Sequence, residues 1–351
     1  MSSGDGKVGL EHRSTMWSVT IRYVRDTTLL GTGSTSKVFR CQCVGVEGID
    51  NGNPEEHGEE REERIGIDVG TKTTECPVRP GHSYAVKMFP RFKLERKSAR
   101  SRLRTELEIH KSVHHPNIVR LLDAFDDSSG NVYFVLELCH TEDLCDRLKR
   151  VRRLEEPLAA NFIGQVVDAL RYLHERNVIH RDVKLKNIFF HEREQDIILL
   201  GDFGLATRMT YPEERKYSFA GTPNFVAPEI VECNRDGRNG YSFEADVWST
   251  GVTLYCLLVG NAPFANGTTE VATVLKNIER GTFSFPDEED EGEENNGNEE
   301  EVVVPVSNTD SIVRVSALAK QLVRSMLRSD PKDRIRLEDF HCHPWMQTMK
   351  T

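Results

Sequence analysis

The 351-residue sequence predicts an α+β fold in two lobes, a small antiparallel β-sheet lobe with one helix followed by a larger, mainly helical lobe. Three observations carry this. Short β-rich runs flank a glycine turn and one charged helix ahead of Cys139, apolar residues recur at helical spacing beyond it, and two acidic stretches with neither periodicity interrupt the chain.

In the small lobe, residues 19–46 hold β-rich runs around the glycine turn, and Ser83–Phe89 (SYAVKMF) reads as a strand. A charged helix is expected from about Lys93 to Val113, stopped by the turn signal His115-Pro116-Asn117, with further strands over Ile118–Phe125 and Asn131–Leu138. Past Cys139, Leu158, Phe162, Ile163, Val166, Val167, Leu170 and Leu173 share one helical face, which predicts a buried amphipathic helix over 157–176. A second apolar helix fits Glu244–Val259, and Glu137–Thr141 reads as a hinge. The expected domain runs from 17 to 346, split into lobes of 17–138 and 139–346, with 1–16 a disordered extension and 347–351 a tail.

Charge divides the chain differently. Lys and Arg number 46 against 56 Asp and Glu, a formal net charge of −10. Glu47–His82 holds 10 acidic and 4 basic residues, and Asp287–Val304 holds 10 acidic residues and no basic one. Without these two segments 42 basic residues face 36 acidic ones, so the organised body carries +6. Both segments read as exposed, disordered insertions, as solvated loops or as binding tails. No apolar run approaches the length of a membrane span, and MSSGDGKVGLEHR lacks the features of a secretory leader. Eight cysteines without a Cys-x-x-Cys pair fit reduced thiols. The expected setting is intracellular, in cytoplasm or nucleus, with no membrane partner. Nucleic acid is not expected either, because aromatic residues are not interleaved with the basic runs.

Leu30-Gly31-Thr32-Gly33-Ser34-Thr35-Ser36-Lys37-Val38 is a glycine turn between strands, where bare backbone can approach a phosphate. An ordinary hairpin turn accounts for it equally well. Ser36 stands where a Gly-x-Gly-x-x-Gly loop has its third glycine and no helix follows, so a dinucleotide fingerprint is excluded. Lys87, in Ala85-Val86-Lys87, needs a partner among apolar neighbours, and Glu106 on the next helix is the candidate; a snorkelling edge-strand Lys is the alternative. Such a pair could hold the α- and β-phosphates of a nucleotide.

More specific is His180-Arg181-Asp182-Val183-Lys184-Leu185-Lys186-Asn187 followed by Gly201-Asp202-Phe203-Gly204. Asp182 can accept the proton of an attacking hydroxyl and Lys184 can offset charge on a transferred phosphoryl group. Asn187 and Asp202 offer hard oxygen ligands for Mg²⁺. Ala227-Pro228-Glu229, Asp246-Val247-Trp248-Ser249-x-Gly251 and Asp330-Pro331-x-x-Arg334 follow, and Glu229 with Arg334 is expected to form a buried ion pair. Cys41-Gln42-Cys43 and His341-Cys342-His343 lack a second ligand pair at zinc spacing. His110, His114 and His115 read as packing and helix-end residues.

In this order, from Ile21 to Met346 apart from the insertions, the motifs resemble the protein kinase family. The resemblance implies the bilobal protein kinase fold, transfer of the γ-phosphoryl group of ATP with Mg²⁺, and protein substrates. Lys184 and Gly221-Thr222-Pro223 are similar to the serine/threonine branch, where the Thr222 hydroxyl would bridge Asp182 and Lys184. RYVR before the turn, LELC at Leu136–Cys139, Lys184-Leu185, Phe189 and GDFGLAT resemble the polo-like kinases. That resemblance implies Leu136 as gatekeeper, backbone bonds from Glu137 and Cys139 to adenine, Phe189 as the pocket floor, and Leu30, Val38 and Ala85 above it. Polo-like kinases usually have Cys where Val38 stands and a shorter connection in place of the first insertion. They also carry a polo-box region after the kinase domain, so docking through that region and spindle-pole targeting are not implied.

The resemblance also places Ser218 at the position of an activating phosphorylation by an upstream kinase, with Arg181 as the partner of the phosphate; a non-regulatory Ser is the alternative. The basic runs Arg91–Arg104 and Asp146–Arg153 are solvated helix faces or favour acidic peptide substrates. The rival functional readings are an ATP-binding pseudokinase scaffold, hinted at by Ser36 and the neighbouring acidic insertion, and a small-molecule kinase. The latter would not be expected to carry the peptide-receiving segment from Gly221 to Glu229.

Overall fold

In the computed structural model, the described residues are 8–14, 16, 19–33, 35–48, 76–236, 239–265, 267–289 and 314–349. Strand β1 (Val8–Ser14) pairs antiparallel with β2 (Val19–Thr32), His12 opposite Ile21 and Ser14 opposite Val19. This corrects the expectation of a disordered extension over 1–16. Leu10 and Ser14 are buried while Gly9, Glu11 and Arg13 are exposed. The period-two pattern escaped notice because its inward face carries His and Ser rather than two more aliphatic residues.

β3 (Lys37–Gly48) alternates buried Phe39, Cys41 and Cys43 with exposed Arg40, Gln42 and Val44, so Cys41-Gln42-Cys43 is strand patterning. Burial raises the Cys41 thiol to about 12. The first insertion is narrower than its acidic composition suggested. Glu47 and Gly48 belong to β3, and the returning segment buries Val78 and locks to β3, with Gly81 N donating to Cys43 O at 2.8 Å. Residues 49–75 lie outside the described residues.

β4 (Ser83–Phe89), α1 (Lys97–Ser112), β5 (Leu121–Asp126) and β6 (Val132–Leu136) complete the small unit. The helix starts later than Lys93, because Arg91–Lys93 forms a separate 3-10 turn after Pro90. The sheet order is β1-β2-β3-β4-β6-β5. It is apolar on both faces: Val132 and Phe134 of β6 pack with Leu103 and Leu107 of α1, while Tyr133 and Val135 pack with Tyr23, Cys43 and Phe125. Side chains of β1 and β5 meet although the strands end the sheet order at opposite sides, so the sheet is curled.

The chain divides into two units, Met1–Thr141 with Phe190–Gln195 and Glu142–Phe189 with Asp196–Thr351. The division falls at the end of the expected hinge rather than at 138/139, and β7 (Cys139–Asp143) runs across it. In the second unit, α2 (Leu144–Val151) is capped by Asp143, whose side chain accepts from Asp146 N. α3 (Glu156–His174) buries the predicted apolar face from Phe162 to Leu173 and leaves Leu158, at its start, half-buried. The short strands β8 (Val178–Ile179), β9 (Ile188–His191), β10 (Ile198–Leu200) and β11 (Thr207–Arg208) frame two loops, with β8 and β11 antiparallel.

α4 (Pro228–Asp236) precedes α5 (Glu244–Val259), which is buried at every position from Ala245 to Leu258. α5 stops at Gly260, whose φ of 99° brings it so close to the Arg152 carbonyl that a Cβ would lie 2.6 Å away. α6 (Val271–Arg280), α7 (Pro286–Glu289), α8 (Ala317–Met326) and α9 (Pro344–Thr348) finish the unit. The second acidic segment is ordered at its start, where Asp287 accepts from Lys320 Nζ at 2.8 Å and Glu288 pairs with Arg324. Residues 290–313 lie outside the described residues. No described helix is long and apolar enough to cross a membrane.

Candidate active site

Strand register brings together the predicted residues of the small unit. Gly31 lies opposite Val38, Val38 opposite Lys87, and Ala85 opposite Leu136, so four strands bring the predicted nucleotide-contacting residues together. Lys87 Nζ donates to Glu106 Oε1 at 2.7 Å, with the two side chains 12% and 7% exposed. Loss of one partner from such a buried pair costs about 3–5 kcal/mol. β4 alternates Tyr84 and Val86 toward one core with Ala85 and Lys87 toward the α1 face, which is why a Lys could be read from an apolar strand.

The glycine turn is closed by a bond from Gly33 N to Ser36 O at 2.9 Å. A Cβ on Gly33 would come within 3.3 Å of Ser36 Oγ, whereas nothing lies within 4 Å of one on Gly31. A side chain at Gly33 would therefore press on Ser36, and Gly31 leaves open backbone toward its surroundings. Leu30 is 38% exposed. Ser34 lies outside the described residues.

At the hinge, Glu137 N donates to Arg120 O at 3.0 Å and its side chain accepts from Arg120 N, which leaves the carbonyl as the group Glu137 would offer adenine. Burial raises the Glu137 carboxyl, with the Arg120 bond opposing it. Burial also pushes the Cys139 thiol well above the usual range, as expected of a hinge residue and not of a nucleophile.

The large unit gathers its own predicted residues around one carboxylate. Asp182 is 7% exposed. Its Oδ2 accepts from Lys184 Nζ at 2.7 Å and Asn187 Nδ2 at 2.9 Å, and its Oδ1 accepts from Thr222 Oγ1 at 2.7 Å. Lys184 Nζ also donates to Thr222 Oγ1 at 2.8 Å. Asn187 Nδ2 further reaches the Asp182 carbonyl at 2.9 Å, which frees its Oδ1 for a ligand role. Phe189 is part exposed between fully buried Ile188 and Phe190, turned to the opposite side of β9.

The backbone holds this cluster in unusual conformations. Arg181 and Asp202 have φ of 66° and 60°, left-handed values that cost of order 1–3 kcal/mol for residues other than glycine. Arg181 is held by Asp246, which is fully buried on α5 and accepts from His180 N at 2.9 Å, Arg181 N at 2.8 Å and His174 Nε2 at 2.9 Å. Burial works to raise the Asp246 carboxyl, but the bonds from His174 and the His180 amide hold it below its ordinary value. Asp202 Oδ1 faces Gly204 N at 3.4 Å, and Phe203 is buried against the edge of the His180 ring, centroids 5.2 Å apart.

The segment from Gly221 packs directly on the catalytic loop. Gly221 has a φ of 120°, and a Cβ there would meet Val226 Cγ1 at 2.8 Å and the Arg181 carbonyl at 3.0 Å. Only glycine lets Thr222 reach Asp182. Ser218 is exposed, with its Oγ 3.3 Å from Arg181 Nη1, and Tyr241 OH donates to Ser218 O at 2.7 Å while accepting from Arg181 Nη1 at 2.9 Å. Glu229 and Arg334 pair through two bonds of 2.7 Å, as expected.

Two asparagine and aspartate oxygens in place of a full cage suit Mg²⁺, which keeps waters and takes substrate phosphates as further ligands. Among the described residues no group of three or more His, Cys, Asp and Glu could hold a metal, and His341 instead pairs with Asp168 at 2.8 Å. Sequence reasoning left Asp246 inside an architectural motif without its role, and it missed Tyr241, whose neighbours Asn239-Gly240 signal only a turn.

The protein kinase domain model matches residues 60–346. The chain belongs to the protein kinase family. It is 38% identical over 267 residues to the cell cycle serine/threonine-protein kinase CDC5/MSD2 of Saccharomyces cerevisiae, covering 76% of this chain and 33% of that one. It is 44% identical over 163 residues to the serine/threonine-protein kinase polo of Drosophila melanogaster, 46% of this chain and 27% of the other. With the serine/threonine-protein kinase PLK1 of Xenopus laevis it shares 33% over 257 residues, 73% and 37%. These similarities are to polo-like kinases, and the chain spans about a third of the length of the yeast and frog relatives.

Proposed function

We propose that this chain is a polo-like serine/threonine protein kinase that transfers the γ-phosphoryl group of ATP to Ser and Thr hydroxyls of proteins. The carrying observation is the triangle of Asp182, Lys184 and Thr222, with all three contacts between 2.7 and 2.8 Å. Both lone pairs of Asp182 Oδ2 are engaged, by Lys184 and Asn187, while among the described residues Oδ1 accepts from Thr222 alone. The substrate hydroxyl is therefore directed to Oδ1, which takes its proton as the new O–P bond forms and the bond to the β-phosphate oxygen breaks. Lys184 offsets charge on the group in flight.

Lys87, fixed by Glu106, positions the α- and β-phosphates, and Gly31 offers open backbone beside them. Asn187 Oδ1 and Asp202 would hold Mg²⁺, which would supply charge neutralisation on the phosphates. The residues proposed to contact adenine are Leu30, Val38, Ala85, Leu136 and Phe189, with backbone bonds from Glu137 and Cys139. Phosphorylation of Ser218 by an upstream kinase raises activity through Arg181, and the net positive body favours substrates with acidic residues near the phosphoacceptor. A role in the cell cycle is suggested by the name of the yeast relative, and an intracellular setting by eight cysteines without a Cys-x-x-Cys pair.

The test is Mg²⁺-dependent transfer of labelled γ-phosphate to matched Ser peptides with acidic or neutral flanks. Transfer with an acidic preference supports the whole reading, transfer without preference removes the substrate class, and no transfer to any peptide or protein removes the activity.

A further inference from the structure

Asp123 on β5 is fully buried, and β1 satisfies both of its side-chain oxygens. His12 Nε2 lies 2.7 Å from Oδ2, and Ser14 Oγ donates to Oδ1 at 2.8 Å, where Ala124 N also donates at 2.9 Å. The His12 ring stacks on Phe125 with centroids 3.7 Å apart, and Phe125 stacks on Tyr133 at 5.0 Å. This clamp is what joins the two ends of the curled sheet.

The opposite face of β5 lies under α1. Leu121 and Ala124 pack with Leu103 and Leu107, and His110 Nε2 meets the Val119 carbonyl at 2.7 Å. Lys111, in the last turn of α1, is also within the field of Asp123: burial lowers its ammonium and Asp123 opposes that shift. Glu106 sits on the same helix, flanked in sequence by residues that make these contacts. A continuous packed path therefore runs from His12 and Ser14 through Asp123 and β5 to α1 and the Lys87–Glu106 pair.

We propose that β1 is a positioning element of the phosphoryl-transfer site, whose His12–Asp123–Ser14 clamp sets β5 under α1 and so holds Glu106 where it captures Lys87. The proposal rests on the kinase reading given above. A buried carboxylate stripped of two partners must recruit other groups or protonate. Lys111, already in its field and in the last turn of α1, is one group that would answer, and its pull would fall on the end of that helix. The clamp residues are positioning residues and touch no substrate.

The test uses the full chain with Asp123→Asn, the double change His12→Ala with Ser14→Ala, and Leu10→Ala as a control that thins β1 packing and spares the clamp. Nucleotide binding, KM for ATP, kcat and amide exchange are measured in wild-type and Glu106→Gln backgrounds. The clamp variants should weaken nucleotide binding and raise KM about fivefold with a smaller change in kcat. Exchange in α1 should speed up, and in the Glu106→Gln background the clamp changes should add nothing further. Effects that multiply in that background, wild-type binding in the double variant, or an equal rise in Leu10→Ala at matched loss of stability would each overturn the proposal. If Asp123→Asn does not fold, the double variant decides alone. A chain without phosphoryl transfer would sink the kinase reading, while binding and exchange would still judge the clamp.

Discussion

Thr222 Oγ1 donates to Asp182 Oδ1 across 2.7 Å, bridging 40 positions of sequence, and accepts from Lys184 Nζ on its other side. One hydroxyl thus ties the segment after Gly221 to the catalytic loop. Thr222→Val should lower kcat by about 10–100-fold, the range of one lost charge-assisted hydrogen bond, with KM for ATP little changed. Thr222→Ser should keep most activity. Steady-state kinetics of the two variants check this, and equal losses would show that the methyl group matters rather than the bond.

The Glu229–Arg334 pair is 9% and 1% exposed and is reinforced by bonds from Arg334 to the Arg328 and Glu244 carbonyls at 2.9 and 2.8 Å. Arg334→Met strands the Glu229 carboxylate and should cost about 3–5 kcal/mol. Arg334→Lys should recover only part, since an ammonium cannot make the forked contact. Urea unfolding midpoints measure both.

Asp246 gives the chain a specific acid sensitivity. Its folded-state carboxyl lies below its ordinary value, so its stabilisation is complete above the unfolded value of about 3.9 and is lost as pH falls through the folded one. The stability gap between wild type and Asp246→Asn should therefore be widest near neutrality and shrink in acid. Denaturant titrations at stepped pH would show it, and a gap constant down to the acid limit would contradict the assignment.

Ser218 is within 3.3 Å of the Arg181 guanidinium, itself anchored by the Leu205 carbonyl at 2.6 Å and by Tyr241. A phosphate there should form a charge-assisted bond of about 1.5 kcal/mol or more, equivalent to about tenfold in activity. Ser218→Ala should abolish that activation when wild type and variant are compared before and after treatment with an upstream kinase.

The sequence made the large unit legible to within two residues at α3 and at both ends of α5, because their apolar residues repeat at helical spacing over many turns. The catalytic constellation was legible because chemically demanding residues stand close together in two short loops. What escaped notice depends on pairing between distant segments. β1 hid behind inward polar residues whose partner, Asp123, lies 109 positions from Ser14. Tyr241 gains its place from a backbone bridge to Lys216 and from the fold of the Ser218 segment, neither of which leaves a local pattern. The acidic insertions were drawn too wide for a related reason: composition reports charge, while Val78, Asp287 and Glu288 are ordered by contacts with β3 and α8.

The central claim is that Asp182 takes the proton of the substrate hydroxyl. The most direct measurement is single-turnover transfer by Asp182→Asn beside equilibrium binding of ATP with Mg²⁺. Binding within about twofold of wild type and transfer slowed by about 10²–10⁴-fold is the expected result, the range of a lost general base. Near-normal transfer at saturating ATP would contradict it.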